Sequence, residues 1–268
     1  MAQLNNHLEI LKILPKTNCR ECGAPTCLVF AVEVKQGQKQ LSDCPHLGEE
    51  VLSQYEVEAD HKDQGAEDFL AKLNERRAKV KEIGDLLGRA EQLGAAVKDG
   101  KLSIKVLGKE FLLNKDAEMA SQCHMNLWVQ RPILDYAVFS QGVEPSGKWV
   151  AMRDLGKDGA EWANFFSKRC EEPLKKLADN YTDLFEDMVH IFDAKRAQEF
   201  DADIAVVLHP LPKVPMLICY WKDDGAMGSQ LNLFFDENAH HNLPVDCIFT
   251  LITGMMIMFE KIAQTHGK

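Results

Sequence analysis

Four cysteines carry the first recognisable chemistry of this chain: Cys19, Cys22, Cys27 and Cys44. Two residues separate the first pair, four the second, and sixteen precede the last. Thiolates are soft ligands that favour iron–sulfur clusters, zinc and copper. A cubane cluster needs four of them converging on one compact anion, and short gaps let neighbouring cysteines share one loop around it.

The flanking residues suit that task. Gly23 follows the second cysteine, where glycine reaches backbone conformations closed to other residues. Pro25 fixes its own φ. Thr26 is a good N-cap, which puts Cys27 in the first turn of a predicted helix running through Leu28 to Val34. A helix N-terminus offers N–H groups and partial positive charge to an anion. Gly37 supplies a C-terminal stop. Pro45 behind Cys44 matches the Cys-Pro that closes bacterial ferredoxin runs.

Spacing favours a cluster and leaves zinc open. Structural zinc takes two Cys-x-x-Cys pairs or a Cys/His mixture. The chain has one such pair, with His46 able to replace a cysteine. Disulfides are disfavoured, because no N-terminal stretch has the pattern of a secretory signal. A thioredoxin-like pair would stand without Cys27 and Cys44 beside it.

The run Leu14-Pro15-Lys16-Thr17-Asn18-Cys19-x-Glu21-Cys22-Gly23-x-Pro25-Thr26-Cys27-Leu28-x-Phe30-Ala31 resembles the small [4Fe–4S] domain of the corrinoid iron–sulfur protein large subunit family. That family works in acetyl-CoA synthesis and cleavage, and similar domains occur in Rnf-type electron-transfer subunits. The resemblance covers about residues 1 to 50. It implies one [4Fe–4S] cluster bound by all four cysteines. It departs at Arg20, where the family usually has glycine, and so adds a positive charge between two ligands.

The chain has 268 residues, 46% hydrophobic and 27% charged, with a net charge of −10. That suits one larger domain plus a small one, and it argues against nucleic acid, whose phosphates need a basic surface. The most apolar run, Ile248 to Phe259, is too short for a membrane span and is interrupted by Thr250, Thr253 and Gly254. A cytoplasmic protein of an anaerobe is the expectation.

The elements that must position these groups follow from periodicity. Leu4, Leu8 and Leu11 predict a short amphipathic helix over 4–14. The polar text after Cys44, from Glu49 through Glu58, Asp60, His61 and Asp63, reads as a linker. Phe69, Leu73, Val80, Ile83 and Leu87 predict a helix from Ala66 to about Leu93. Leu102, Ile104 and Val106 alternate, Leu107-Gly108 turns, and Phe111 to Leu113 return as a hairpin. Leu127–Phe139 reads as helical or mixed, and Glu161–Cys170 and Pro173–Phe192 read as helices. Strands are predicted at Trp149–Met152, Ile204–Leu208, Met216–Trp221 and Leu231–Phe235, with a turn at Pro210-Leu211-Pro212. A last helix opens near Leu243-Pro244 and runs to about Ala263.

The expected fold class is therefore α+β: a small, mostly helical Fe–S module (residues 1–60), a helical linker (61–95) and a larger α+β domain with an antiparallel sheet (96–268). The body resembles an uncharacterised domain family fused behind such Fe–S modules. Asp135-Tyr136, Gly147-x-Trp149, Leu211-Pro212-x-Val214-Pro215, Trp221-x-Asp223-Asp224, Phe235-Asp236 and Leu243-Pro244-x-Asp246 carry that resemblance.

Other candidates in the body have bland readings that weigh more. Cys123-His124, Cys170, Cys219 and Cys247 read as packed thiols, although the helix start at Cys247 and the cations before Cys170 are features that lower a thiol pKa. His209, His240 and His241, brought together, would suit haem iron, a corrinoid cobalt or zinc; loop histidines are the plainer reading. Asp223-Asp224 and Asp236-Glu237 fit acid–base work, and equally turns and caps. No phosphate-cradling glycine loop, Ser/His/Asp signature or zinc-protease helix occurs.

Three functions follow as expectations. The first is single-electron transfer by a [4Fe–4S] protein to a redox partner such as a corrinoid protein, with Lys16 and Arg20 raising the potential or steering the partner. The second is binding or reductive activation of a corrinoid or haem by the body. The third is a non-enzymatic interaction module stabilised by zinc or a structural cluster.

Overall fold

The structure is a computed structural model and describes residues 2–4, 6–35, 37, 39–57, 62–123, 125, 127–225 and 228–266. The chain forms two compact units, Met1–Lys72 and Leu73–Lys268.

The first unit contains β1 (Ala2–Leu4), α1 (His7–Ile13), α2 (Cys27–Lys35), α3 (Glu49–Gln54) and β2 (Tyr55–Val57). β1 and β2 pair in parallel. Asn6 starts α1: its Oδ1 accepts from the N–H groups of Leu8 and Glu9, both at 3.0 Å. That start sets the helical phase. Ile10 and Leu14 turn inward, while Leu8, expected on the apolar face, is 55% exposed and Leu4 lies in β1. The core gathers Leu4, Ile10, Leu14, Phe30, Ala31 and Val34 with Cys27 and Cys44. The polar stretch after Cys44 folds as α3 and β2, while Glu58, Asp60 and His61 lie outside the described residues.

The boundary between the units falls inside α4 (Lys62–Lys81). In the second unit, Leu73 and Val80 on this helix are buried. The helix stops at Lys81, short of the Leu93 that the apolar stripe predicted. Gly84 is a poor helix former, and Asp85 Oδ1 accepts from the Gly88 N–H at 2.8 Å, which favours a turn. The stripe continues only as a single 3-10 turn, Leu87–Arg89.

Next comes an antiparallel sheet in the order β3 (Ala96–Lys98), β4 (Lys101–Val106), β5 (Lys109–Leu113), β6 (Met119–Ser121). Its central hairpin is the predicted one. Leu107 and Gly108 take φ of 50° and 72°, the left-handed pair that a tight hairpin turn demands. After α5 (Leu127–Phe139) come β7 (Trp149–Ala151), α6 (Gly159–Phe166), α7 (Glu172–Asn180), α8 (Leu184–Phe192) and β8 (Lys195–Arg196). The predicted helix over Pro173–Phe192 is thus two helices, broken at Tyr181, whose ψ of 77° is not helical.

β9 (Ile204–Leu211), β10 (Val214–Trp221) and β11 (Gln230–Asp236) complete a five-stranded antiparallel sheet ordered β7-β11-β10-β9-β8. β9 continues through Pro210, beyond its predicted end at Leu208. β8 pairs only with Val206 and Val207; beyond it the Leu107 N–H donates to the His209 carbonyl at 3.0 Å, a contact that asks no N–H of Pro210. α9 (Ala239–Asn242) and α10 (Val245–His266) follow. α10 packs on α5, α6, α7 and α8. Phe166, Phe185, Phe235, Phe259 and Tyr136 are among the largest fully buried side chains of this core. The fold is α+β with antiparallel sheets, as expected. Among the described residues no helix is long and apolar enough to cross a membrane.

Candidate metal centre

The loop between α1 and α2 is built on an unusual backbone. Lys16, Asn18 and Arg20 all take left-handed φ, of 58°, 53° and 67°, and Gly23 follows at 76°. Non-glycine residues seldom adopt such angles. Left-handed residues at every second position curl a chain so that its N–H groups face one hollow, an arrangement that cradles anions, including Fe–S clusters. Arg20 thus stands at a position where glycine would be unstrained, which accounts for the family's usual glycine there.

Side chains hold this curl in place. The Cys27 N–H donates to Asn18 Oδ1 at 2.8 Å, and the Val29 N–H to Thr26 Oγ1 at 3.2 Å. Thr26 therefore caps α2 as predicted. The expected open N–H groups are partly taken, however, since Cys27 and Val29 spend theirs on these two side chains. The Gly23 N–H donates to the Arg20 carbonyl at 2.9 Å, closing the turn between the first two cysteines. Lys39 Nζ donates to the Cys22 carbonyl at 2.5 Å and pairs with Glu33 at 3.4 Å.

The return path is equally local. Gly37, at φ 74°, ends α2 with its N–H on the Val34 carbonyl at 3.1 Å. Asp43 Oδ2 accepts from the Gln40 N–H at 2.8 Å and fixes the turn Leu41–Asp43, which delivers Cys44. All four cysteines are free thiols. Cys27 and Cys44 are buried, Cys22 is half-buried and Cys19 is exposed. His46 Nε2 lies 3.0 Å from Glu21 Oε2. Ligating atoms of Cys19, Glu21 and His46 all fall within 4.8 Å of one another. The curl carries Cys19 and Cys22, Cys27 opens α2 and the return turn delivers Cys44; four free thiols are the donor set that a thiolate-bound cluster takes.

The body candidates part company. His209 lines a cleft of about 190 Å³ with Lys105, Asp193, Lys195 and Pro212. Burial, with Lys195 nearby, lowers its pKa. His240 and His241 line a different cleft of about 350 Å³ with Asp158, Glu161, Trp162 and Asp246. Their rings stack at 3.9 Å. The fold therefore brings two of the three histidines together and leaves His209 elsewhere in the unit. His240 Nδ1 is 2.8 Å from the Glu237 carbonyl. A carbonyl only accepts, so Nδ1 carries the hydrogen and Nε2 keeps its lone pair.

The remaining cysteines of the body are packed thiols where described. Burial pushes Cys170 up to about 12 and raises Cys219; burial together with Asp135 raises Cys247 further. Cys123 is half-buried, and His124 lies outside the described residues. Asp223 serves a turn, accepting from the Gly225 N–H at 2.7 Å. Asp236 holds the Gly147 N–H at 2.6 Å and the Asn238 N–H at 2.9 Å, and Glu237 pairs with Lys148. Turn chemistry and caps account for these carboxylates.

A fully buried carboxylate escaped notice in the sequence. Asp135 on α5 meets Arg76 Nε at 2.5 Å and Arg131 Nε at 3.3 Å, and accepts from Cys247 Sγ at 3.1 Å. It ties α4, α5 and α10 together within the second unit. The pair Asp135-Tyr136 in the body's resemblance was the available signal, hidden inside an apolar run.

A family model described as "Domain of unknown function (DUF3786)" matches residues 85–258. The chain belongs to this family. The DUF3786 region carries the two antiparallel sheets, Asp135 with its partners Arg131 and Cys247, and both histidine clefts, while Arg76 precedes it. A second model, described as "Putative Fe-S cluster", matches residues 14–46 and so spans the whole cysteine set. Over 42 residues the chain is 52% identical to the corrinoid/iron-sulfur protein large subunit of Moorella thermoacetica, covering 16% of this chain and 9% of that protein. Over 48 residues it is 48% identical to the acetyl-CoA decarbonylase/synthase complex subunit gamma 1 of Methanosarcina thermophila, covering 18% and 10%. The matched segments thus span about a tenth of those relatives. No solved structure matches the chain significantly.

Proposed function

We propose that Cys19, Cys22, Cys27 and Cys44 hold one [4Fe–4S] cluster and that the protein passes single electrons to a partner in anaerobic acetyl-CoA metabolism. Residues 1–60 form the cluster-binding domain, 61–95 the helical connection and 96–268 the partner-specific body. The observation that supports this reading is the left-handed curl at Lys16, Asn18, Arg20 and Gly23, which carries Cys19 and Cys22 in a segment whose four cysteines are all free thiols. The name of the Moorella relative joins a corrinoid to an iron–sulfur protein, which supports a corrinoid protein as the electron acceptor.

When bound, the cluster supplies a one-electron couple, generally of low potential with four thiolates. The chain's own residues set its surroundings. Cys27 and Cys44 are anchored in the apolar core, and Cys19 faces solvent. Asn18 and Lys39 keep the ligand loop in one conformation, which limits reorganisation during transfer.

Stopped-flow mixing of the dithionite-reduced protein with a cob(II)alamin-loaded corrinoid protein tests the reading. Cluster reoxidation coupled to cobalt reduction is the expected result. An inert mixture, with the cluster intact, would remove the corrinoid partner from the proposal.

A second reading rests on His240, whose fixed tautomer leaves Nε2 available to an axial metal. A cleft of about 350 Å³ lies at the small end of ligand pockets, which disfavours an enclosed tetrapyrrole. Titration of the full chain with haem and with cobalamin, beside His240→Ala, separates the two: uptake abolished by the substitution supports it, and no spectral change rejects it.

A further inference from the structure

We infer that His46, oriented by Glu21, is a replacement ligand at the Cys19 corner of the centre. The inference rests on the cluster reading above and concerns only which side chains can serve that corner.

Three groups of different sequence origin meet there. Cys19 and Glu21 come from the curl, and His46 from the segment behind Cys44 and Pro45. Their ligating atoms already lie within 4.8 Å of one another. A tetrahedral site with bonds of about 2.0–2.3 Å spaces its ligand atoms roughly 3.5 Å apart, so modest side-chain rotation exchanges one group for another.

The imidazole is oriented for the role. Its Nε2 stands 3.0 Å from Glu21 Oε2. A carboxylate accepts, so Nε2 donates to Glu21 and Nδ1 is the ring nitrogen left for a metal. This is the carboxylate–histidine pattern that orients metal-ligating imidazoles and raises their basicity.

Among the described residues, Cys19, Glu21 and His46 form the one set of three or more histidine, cysteine or carboxylate ligands drawn this close. Cys27 and Cys44 are packed into the core and Cys22 sits under Lys39, whereas Cys19 is exposed. The most exposed thiolate is therefore the one beside a substitute. In the exchange His46 would hold the iron in place of Cys19, and the released Cys19 thiolate would take up one proton from a buffer acid, leaving its conjugate base. No electron moves.

The test compares Cys19→Ala, Cys22→Ala, Cys27→Ala, Cys44→Ala and the double variant Cys19→Ala/His46→Ala, each reconstituted anaerobically with iron and sulfide. Iron per chain and the hyperfine EPR spectrum are read beside wild type. The expected result is that Cys19→Ala alone keeps near-wild-type iron and gains a nitrogen coupling, and that the double variant loses both. Equal iron loss in Cys19→Ala and Cys27→Ala would overturn the inference. So would retention in Cys19→Ala that is unchanged by removing His46. Wild-type protein that binds no iron would instead overturn the cluster reading itself, and this inference with it.

Discussion

Lys39 Nζ donates to the carbonyl oxygen of Cys22 at 2.5 Å, while Glu33 stands 3.4 Å from the same ammonium. A partly buried cation is thus pinned to the ligand loop between two cysteines. Reduction adds an electron, and a nearby positive charge stabilises the reduced state. Lys39→Gln is expected to lower the reduction potential by tens of millivolts, where a tenfold change in a one-electron equilibrium is about 59 mV. Lys39→Arg should restore most of the shift. An EPR-monitored redox titration reads it, and identical midpoints for wild type and Lys39→Gln would refute the electrostatic role.

Arg20 holds φ at 67°, in a region that costs a side-chain-bearing residue about 1 kcal/mol. Arg20→Gly removes that strain. The first unit is expected to gain roughly 0.5–1 kcal/mol, less what glycine's flexibility costs in the unfolded chain. Urea unfolding of the cluster-loaded protein, followed by cluster absorbance, measures it. A loss of stability would show that the Arg20 side chain contributes more than its backbone strain takes away.

Asp135 is fully buried between Arg76 and Arg131. Removing its charge leaves Arg76 and Arg131 with their outer carboxylate partners, Glu75 and Asp246, but without the buried one they share. Asp135→Asn is expected to destabilise the second unit by about 3–5 kcal/mol. Chemical denaturation followed by tryptophan fluorescence gives the value, and a change below about 1 kcal/mol would mean that the cluster is not a structural clamp.

Cys170 and Cys247 give the second unit an alkaline limit. Burial holds the Cys170 thiol protonated up to about 12, and burial with Asp135 raises Cys247 as well. In the unfolded chain both ionise near pH 8.5–9. Above that range the unfolded state releases protons that the folded state retains, so stability falls as pH rises. The expected slope between pH 9 and 11 is up to about 1.4 kcal/mol per pH unit for each thiol. Cys170→Ala should remove one share of it, and an unchanged slope in that variant would contradict the assignment.

What could be read beforehand depended on sequence distance. The four thiols, Gly23, Thr26 and Gly37 lie within one short stretch, and the structure gives the cap and the stop the expected roles. The span of α5 and the β4–β5 hairpin were legible because one is an apolar run and the other alternates about a turn that needs left-handed residues. β3 and β6 were not, since three residues are too few to show alternation. β1 and β2 pair in parallel across the whole first unit, which no local pattern signals. The Asp135 cluster joins residues 59 and 112 positions apart. The Glu21–His46 pair likewise needs the fold to bring its members together. The left-handed backbone at Lys16 and Arg20 runs against the propensities of those residues, whereas Asn18 is a residue that tolerates it.

The most direct test of the central claim is iron and acid-labile sulfide analysis of anaerobically purified protein, with an EPR spectrum after dithionite reduction. The four-thiolate reading requires about four irons and four sulfides per chain and an S = 1/2 signal from the reduced cubane. One zinc per chain, no sulfide and no signal would contradict it, and the cysteine module would then be a structural metal site.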